Sequence, residues 1–394
     1  MSLTVLDMFS GCGGLSIGLA QAGLEIVAGV DNDLDSISSF TSAHPKAEAF
    51  CQDVGGFLYE VEQGDRGLKD IDLLVGGPPC QGFSAVNPYR SIDNPKNSCV
   101  DLFLEAVRVF SPTMVLMENV TGLVSLGRGH ALESIVQCLE SAGYVTTVKV
   151  LQAAHYGVPQ SRWRLFIFGS KFGKFNFPEP THGAVVRPNV AGGTHLTFDV
   201  PEQPTLFASY LNPNSIRDAI SDLPDIPNGA MCEPLSYTSS PLSDLQEKLR
   251  QDAAILTNHF AKKQGDMSMA RIKALPDPGM NWQDLPSSLM PKNILRLQRK
   301  WGRNVPTRWA RLRWDGLFST ILTKPEPYWG SFIHPSQDRV ISVRETARAQ
   351  TFPDSLKFQG TIDSKYRQVG NAVPPFMAQA IGENIINHAN QAKQ

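Results

Sequence analysis

The chain has 394 residues, two to three times the usual domain size, so two compact units are expected. Hydrophobic residues make up 42% and charged residues 19%, enough apolar material for full cores and too little charge for a disordered chain. Lys and Arg number 36 against 38 Asp and Glu, a net charge of −2, which would argue against a polyanionic partner only if the charge were evenly spread.

No apolar run reaches the roughly 18 residues of a membrane span. Met1–Asp7 has no basic region and reaches an acid at once, so no secretory signal is expected. The six cysteines, at 12, 51, 80, 99, 138 and 232, include no C-x-x-C pair, and the eight histidines show no metal-ligand spacing, so no metal is expected. Reduced thiols in a cytoplasmic or nuclear compartment follow.

Residues 1–170 alternate between short β-type runs and helix-type stretches. Leu3–Phe9, Leu24–Val30, Ile71–Val75, Thr113–Met117, Val145–Leu151 and Leu165–Phe168 read as strands, several apolar almost throughout. Continuous apolar runs fit a parallel sheet covered by helices, here Leu15–Ala22, Leu34–Thr41, Val100–Phe110 and Ala131–Ala142. The pattern predicts a doubly wound α/β domain.

The first strand leads into Phe9-Ser10-Gly11-Cys12-Gly13-Gly14, a Gly-rich turn at which a ligand can approach the backbone and a helix N-terminus. Ser16 stands where a dinucleotide fingerprint needs its third glycine, and no Walker lysine follows. Twenty residues past Gly11 the second strand ends at Asp31-Asn32, an acid suited to ribose hydroxyls. Asp53-Val54 supplies another acid, placed to take an adenine amino group. Together these suit an adenosine cofactor without a pyrophosphate; an ordinary α/β turn with surface acids is the plainer reading.

The next strand runs into Gly76-Gly77-Pro78-Pro79-Cys80-Gln81-Gly82-Phe83-Ser84. Two prolines hold the approach extended and glycines free the loop around it. A cysteine at the carboxyl end of a parallel strand lies where open α/β sheets bind ligands, and a buried inert thiol would not need this setting. Thr113–Met117 ends in Glu118-Asn119-Val120, so a carboxyl and a thiol emerge on one sheet edge if both strands are parallel, a pairing that suits covalent catalysis with a general acid. Arg162 and Arg164, at alternate positions before Leu165–Phe168, share a face and can clamp an anion or a carbonyl.

After about residue 173 the alternation is lost and prolines cluster, which reads as a loop-rich second domain built to present a surface. Charge is strongly segregated along the chain: residues 1–70 hold three basic residues and eleven acids, whereas 290–315 hold eight basic residues and one acid. Trp301, Trp309 and Trp314 interleave the basic stretch. Two readings fit it, a phosphate-binding surface or a solvated helix face with core tryptophans.

The chain resembles a DNA (cytosine-5)-methyltransferase. The resemblance rests on Phe9–Gly14, Pro78-Pro79-Cys80-Gln81, Glu118-Asn119-Val120 and Gln160-x-Arg162-x-Arg164. It continues through Arg344-Glu345-x-Ala347-Arg348-x-Gln350, Phe352-Pro353-Asp354 and Gln368-Val369-Gly370-Asn371-Ala372-Val373-Pro374-Pro375, all in the family's order. It implies a Rossmann-like S-adenosylmethionine-dependent sheet over 1–174, completed by 362–394, a smaller target-recognition domain over 175–335 and a hinge over 336–361. Phe9, Ser10, Gly11, Cys12, Gly13, Gly14, Asp31, Asn32, Asp53, Val54, Asn371, Ala372 and Val373 would hold S-adenosylmethionine. Cys80 would attack C6 of a flipped-out cytosine, Glu118 would act at N3, Arg164 at the carbonyl oxygen, and Arg162 would support the site. Gln81 and Ser84 belong to the loop that would close over the base, and Arg303, Arg308, Trp314, Thr323, Tyr328 and Ser331 would face duplex DNA.

The target region is similar to that of eukaryotic maintenance enzymes and of bacterial single-chain relatives. Tyr328-Trp329-Gly330-Ser331 departs from the Met-Gly-Lys-Gln loop of the former. With residue 1 just before the fold begins, a free-standing prokaryotic or phage-type monomer is expected, with a cognate restriction endonuclease as a possible separate companion. A tRNA-directed relative on the same fold is the rival reading, and its Cys-Phe-Thr tripeptide does not occur here. A non-catalytic DNA-binding relative is the other.

Overall fold

The structure, a computed structural model, describes residues 2–64, 67–68, 70–79, 98–183, 210–231, 233–251, 253–301 and 307–392. In chain order the elements begin β1 (Thr4–Met8), α1 (Gly14–Gln21), β2 (Glu25–Asp31), α2 (Leu34–Ala43), β3 (Glu48–Cys51), α3 (Val54–Glu62), β4 (Leu73–Gly76), α4 (Ser98–Phe110), β5 (Met114–Val120), α5 (Gly122–Ser125), α6 (His130–Ser141), β6 (Val145–Gln152) and β7 (Trp163–Ser170). Then come α7 (Ile216–Ile220), α8 (Asp244–Arg250), α9 (Asp266–Lys273), α10 (Lys292–Trp301), α11 (Val343–Ala349), α12 (Ile362–Asn371) and α13 (Pro375–Ala392). Among the described residues no helix is long and apolar enough to cross a membrane. The chain forms two compact units, residues 1–158, 162–213 and 372–394 in the first, and 159–161 with 214–371 in the second. Residues 336–361 thus pack within the second unit, and α12 does so too.

The first unit is a seven-stranded sheet in the order β3-β2-β1-β4-β5-β7-β6. Its central strands are apolar on both faces because both are covered. Leu6, Met8, Leu74, Val115 and Met117 pack with Phe57 of α3, Phe103 of α4 and Leu132 of α6. The alternate residues Val5, Leu73, Val75, Met114 and Leu116 pack with Leu19 of α1, Phe40 of α2 and Ile381 of α13. Full burial of each such side chain is worth about 1.5–3 kcal/mol.

The structure departs from an all-parallel sheet at one edge. β7 is antiparallel to both β5 and β6. The linker between β6 and β7 holds only a short 3-10 turn, Ala153–Tyr156, and a parallel return needs a crossover of about a dozen residues or more. The β3–α3 pair also escapes the apolar-run reading. β3 is four residues with exposed ends, and α3 has two glycines in its first turn, held by the Asp53 side chain accepting from Gly55 N at 2.8 Å.

The second unit has no strand among its described residues and is joined by isolated bridges such as Gln160 to Phe318 and Arg311 to Ile333, in keeping with the loop-rich expectation. Ile272, Leu275, Trp282, Leu285, Ile294, Trp309 and Ile333 form one of its cores.

Candidate active site

The parallel register places Met8 beside Gly76, and Gly76 beside Met117. The segments that follow β1, β4 and β5 therefore leave the sheet at one carboxyl edge, and the strand order reverses at β1–β4, where open α/β sheets bind ligands. The Gly11 turn, Gly77-Pro78-Pro79 and Glu118 share this edge. Cys80, Gln81 and Ser84 lie outside the described residues, as does Arg303.

The turn after β1 is tightly wound. Phe9, Gly11 and Gly13 all take positive φ, at 58°, 55° and 84°. That conformation is free for glycine and strained for Phe9, a strain of the kind found at functional sites. Ser10 N donates to Val30 O, and Gly11 N donates to Asp31 Oδ2 at 2.9 Å. The other Asp31 oxygen accepts from Asp33 N at 2.9 Å. Asp31 thus braces the turn with its carboxylate still able to accept a further bond.

Beneath it lies Asp7, 2% exposed, with Oδ2 buried and without a hydrogen-bond partner. Burial, reinforced by Asp31, raises its carboxyl to about 7. The Ser10 hydroxyl is likewise buried without a partner. Burial pushes the Cys12 thiol up to about 12, so it is no nucleophile. Asn32 and Asp53 are exposed, and Val54 is buried.

The catalytic candidates meet between β5 and β7. Register pairs Val120 with Arg164, and Glu118 accepts from Arg164 Nε at 2.8 Å. Gly77 makes room for this carboxyl, because a Cβ there would lie 3.0 Å from Glu118 Oε2. Glu118 is 8% exposed. Burial raises its pKa, and Arg164 and Arg162 offset this only in part. Arg164 also donates to Trp163 O at 2.8 Å.

Arg162 is fully buried. Its Nη2 donates to Ala372 O at 2.9 Å, tying the arginine motif to the segment just before α13, and its backbone N donates to Gln152 Oε1 at 2.8 Å.

Asn119 adds a contact that the linear pattern does not reveal. Its Nδ2 donates to Pro78 O at 3.3 Å and its Oδ1 accepts from Val120 N at 2.8 Å. The carboxyl-bearing strand thereby anchors the chain two residues before Cys80.

In the second unit, Gln160 Nε2 donates to Ala349 O and Gln350 Oε1, and its Oε1 accepts from Ile321 N. Gln350 in turn donates to Val369 O. One buried glutamine pair thus links three of the sequence motifs; its only signal was a glutamine in each of two of them. The basic stretch divides. Arg311 is 2% exposed and bonds four backbone carbonyls and Asp338. Arg313 pairs with Asp315 at the surface. Trp309 is core, and Trp314 packs edge-on to His334 and under Arg217. Thr323 is exposed, Asn371 ends α12, and Arg308, Tyr328 and Ser331 lie together in one turn region described below.

The sheet and its edge define a Rossmann-like methyltransferase fold. The structure superposes with a TM-score of 0.70 on a protein described as a prophage-encoded DNA modification methyltransferase (E. coli), 24% identical, covering 99% of this chain and 100% of that one. It superposes with a TM-score of 0.51 on the S. pombe Dnmt2 methyltransferase, 15% identical, over 100% of each chain. The chain belongs to the C-5 cytosine-specific DNA methylase family, whose model matches residues 3–387. It is 35% identical over 455 residues to DNA (cytosine-5)-methyltransferase 1 of Gallus gallus, covering 97% of this chain and 30% of that protein. It is 33% identical over 439 residues to DNA (cytosine-5)-methyltransferase 1A of Oryza sativa subsp. japonica, covering 97% and 28%. The chain thus spans between 28% and 30% of the length of these curated relatives.

Proposed function

We propose that the protein transfers a methyl group from S-adenosylmethionine to C5 of a cytosine extruded from duplex DNA, with Cys80 as nucleophile. The observation that carries this reading is the buried Glu118–Arg164 pair at the sheet edge, on the strand whose Asn119 holds the Pro78 carbonyl. Membership of the family and the likeness to relatives named DNA (cytosine-5)-methyltransferases support the same chemistry.

The turn after β1 fits the cofactor. Asp31 has lone pairs left for ribose hydroxyls, and the exposed Asn32 and Asp53, with Val54 and Phe9, would meet the adenine. Ser10, Gly11, Cys12, Gly13 and Gly14 would cradle the methionine end, with Ala372 and Val373 beside them; the unpartnered oxygens of Asp7 and Ser10 mark a polar demand still unmet. Bound there, S-adenosylmethionine supplies an electrophilic methyl group.

Cytosine C5 is a poor nucleophile until a thiolate adds at C6. Cys80 would form that bond while Glu118, its carboxyl pushed up by burial, donates a proton to N3, so that electron density collects at C5. Once C5 is methylated, its proton leaves to a base, the C6–sulfur bond breaks to return the Cys80 thiolate, and N3 gives its proton back to Glu118. Arg164 would hold the carbonyl oxygen of the base, and Arg162, fixed on Ala372 O, would keep the arginine strand in place. A free thiol is only a few per cent ionised at pH 7, so Cys80 needs the positive field of such groups. Extrusion costs a few kcal/mol of unstacking. Gln81 and Ser84 would cover the extruded base, while Arg303, Arg308, Thr323, Tyr328 and Ser331 would meet the duplex.

Tritiated S-adenosylmethionine offered with duplex DNA and, separately, with tRNA tests the reading. Label in DNA at C5 of cytosine supports it. Label only in tRNA replaces the substrate class, and label in neither removes the activity.

A further inference from the structure

The turn 325–331 of the second unit is braced from several sides. Trp309 N donates to Pro327 O at 2.6 Å, Trp329 N to Glu326 O at 2.8 Å, and Ser331 Oγ to Thr307 O at 3.1 Å. A Cβ on Gly330 would lie 2.8 Å from the Phe332 ring, so the chain is closed against that ring. Pro325 and Pro327 are buried. Yet this rigid turn holds the Trp329 indole 48% exposed, its ring edge-on to Tyr328 at 4.9 Å between centroids.

Arg308 lies against both rings, its guanidinium carbon 4.8 Å from the Tyr328 centroid and 5.4 Å from that of Trp329. Among the described residues it makes no ion pair, and its Nη1 is buried without a hydrogen-bond partner. Arg311 and Arg313 differ, since each spends its charge on partners within the fold. A guanidinium laid on two rings holds an aromatic surface in place as well as carrying charge, and a lysine cannot imitate that planar contact. An indole that is already rigid loses little conformational freedom when a flat partner covers it.

From this geometry we propose that Arg308, Tyr328 and Trp329 form a stacking platform for a nucleobase of DNA, with Trp329 as the contacting plate and Arg308 as the brace behind it. The inference rests on the DNA-directed function proposed above and makes these residues readers of an opened base stack. Base faces inside an intact duplex are covered, so the plate can act only where extrusion of the target opens a step.

The test is binding of the full chain to a mixed-sequence duplex and to the same duplex with one abasic position, measured by fluorescence anisotropy across salt concentrations. Wild type is expected to prefer the abasic duplex. Trp329→Ala and Arg308→Lys should each weaken abasic-duplex binding by about fivefold or more, as loss of one base–aromatic stack does, with the salt slope and the melting temperature unchanged. Three results overturn the platform: no abasic preference in wild type; wild-type binding by Trp329→Ala; or wild-type binding by Arg308→Lys together with a salt slope lowered by about 0.9 in Arg308→Ala, which marks an ordinary phosphate contact. Abasic preference with the expected variant losses, in a protein that transfers no methyl group, leaves the platform standing and removes only the methyltransferase reading. A wild type that binds no duplex overturns both.

Discussion

Two regions of the molecule bury a carboxylate against an arginine, and the outcomes are opposite. In the second unit Glu345 accepts two bonds from Arg339 at 2.7 Å and another from Ser342 N. Burial pushes its carboxyl up, but Arg339 holds it well below the ordinary carboxylate range. Nearby, Arg348 is shared between Asp222 and Asp354, and Asp354 is likewise held low against the effect of burial. At the sheet edge of the first unit, Glu118 has one Arg164 bond, and there burial prevails.

The difference lies in how completely the charge is compensated. A carboxylate saturated with donors is a fixed anion and a piece of scaffold. One left short of donors in a dry place has its pKa raised and holds a proton more readily, which suits it to give one away. Asp7, also buried and short of partners, shows the same signature beneath the Gly-rich turn.

The largest effect that would sharpen this contrast is at Glu118. Glu118→Gln should lower turnover by about 10²–10⁴-fold, as loss of a general acid does, with little change in unfolding free energy; steady-state methyl transfer and denaturant unfolding measure the two. The mirror substitution is Arg348→Ala, which leaves Asp222 and Asp354 buried without their shared cation. It should cost about 3–5 kcal/mol of stability, read as a lowered urea midpoint, and equal stability to wild type would break the comparison.

Asp31→Ala comes next. It removes the brace on Gly11 N and the remaining acceptor sites, and should weaken S-adenosylmethionine binding by about 1.5–3 kcal/mol by calorimetry.

The smallest effect is in the pH profile. His334 and His259 are neutral when folded because burial lowers them, His334 to about 4. The unfolded chain protonates first, so their contribution is full above about pH 6.5 and is lost as pH falls, for His334 toward 4. Asp354 and Glu345 add losses of the same sign below about pH 4. The first unit holds opposing groups. Burial lowers His44 to about 4, which acts as His334 does, but Asp7 is raised to about 7, so its contribution is present at low pH and lost as pH rises from about 4 to 7. On acidification, amide exchange should therefore appear in α11 before β1. The reverse order would contradict the assignment.

Much of this was legible in the sequence where the cause is local. Short β-type runs placed six of the seven strands, the central ones because burial on both faces leaves no other composition, and Glu118 and Arg164 stood out at strand ends. What escaped was set by pairings between distant residues. β3 is too short to carry a period, and α12, which runs through to Asn371, was not among the predicted helices. The Asn119–Pro78 bond joins residues 41 apart and the Gln160–Gln350 bond joins residues 190 apart. The basic stretch showed its charge but not its division into the buried Arg311, the surface-paired Arg313 and the ring-stacked Arg308.

The central claim is that a thiol at 80 and the buried carboxyl at 118 act together on one base. It is tested most directly with duplex DNA carrying 5-fluorocytosine in the presence of S-adenosylmethionine, because fluorine cannot leave C5 as a proton does. Wild type should form a denaturation-resistant adduct mapped by mass spectrometry to Cys80, and Cys80→Ala should remain folded, bind S-adenosylmethionine and form none. An adduct in Cys80→Ala, or wild-type turnover by that variant on unmodified DNA, would contradict the account.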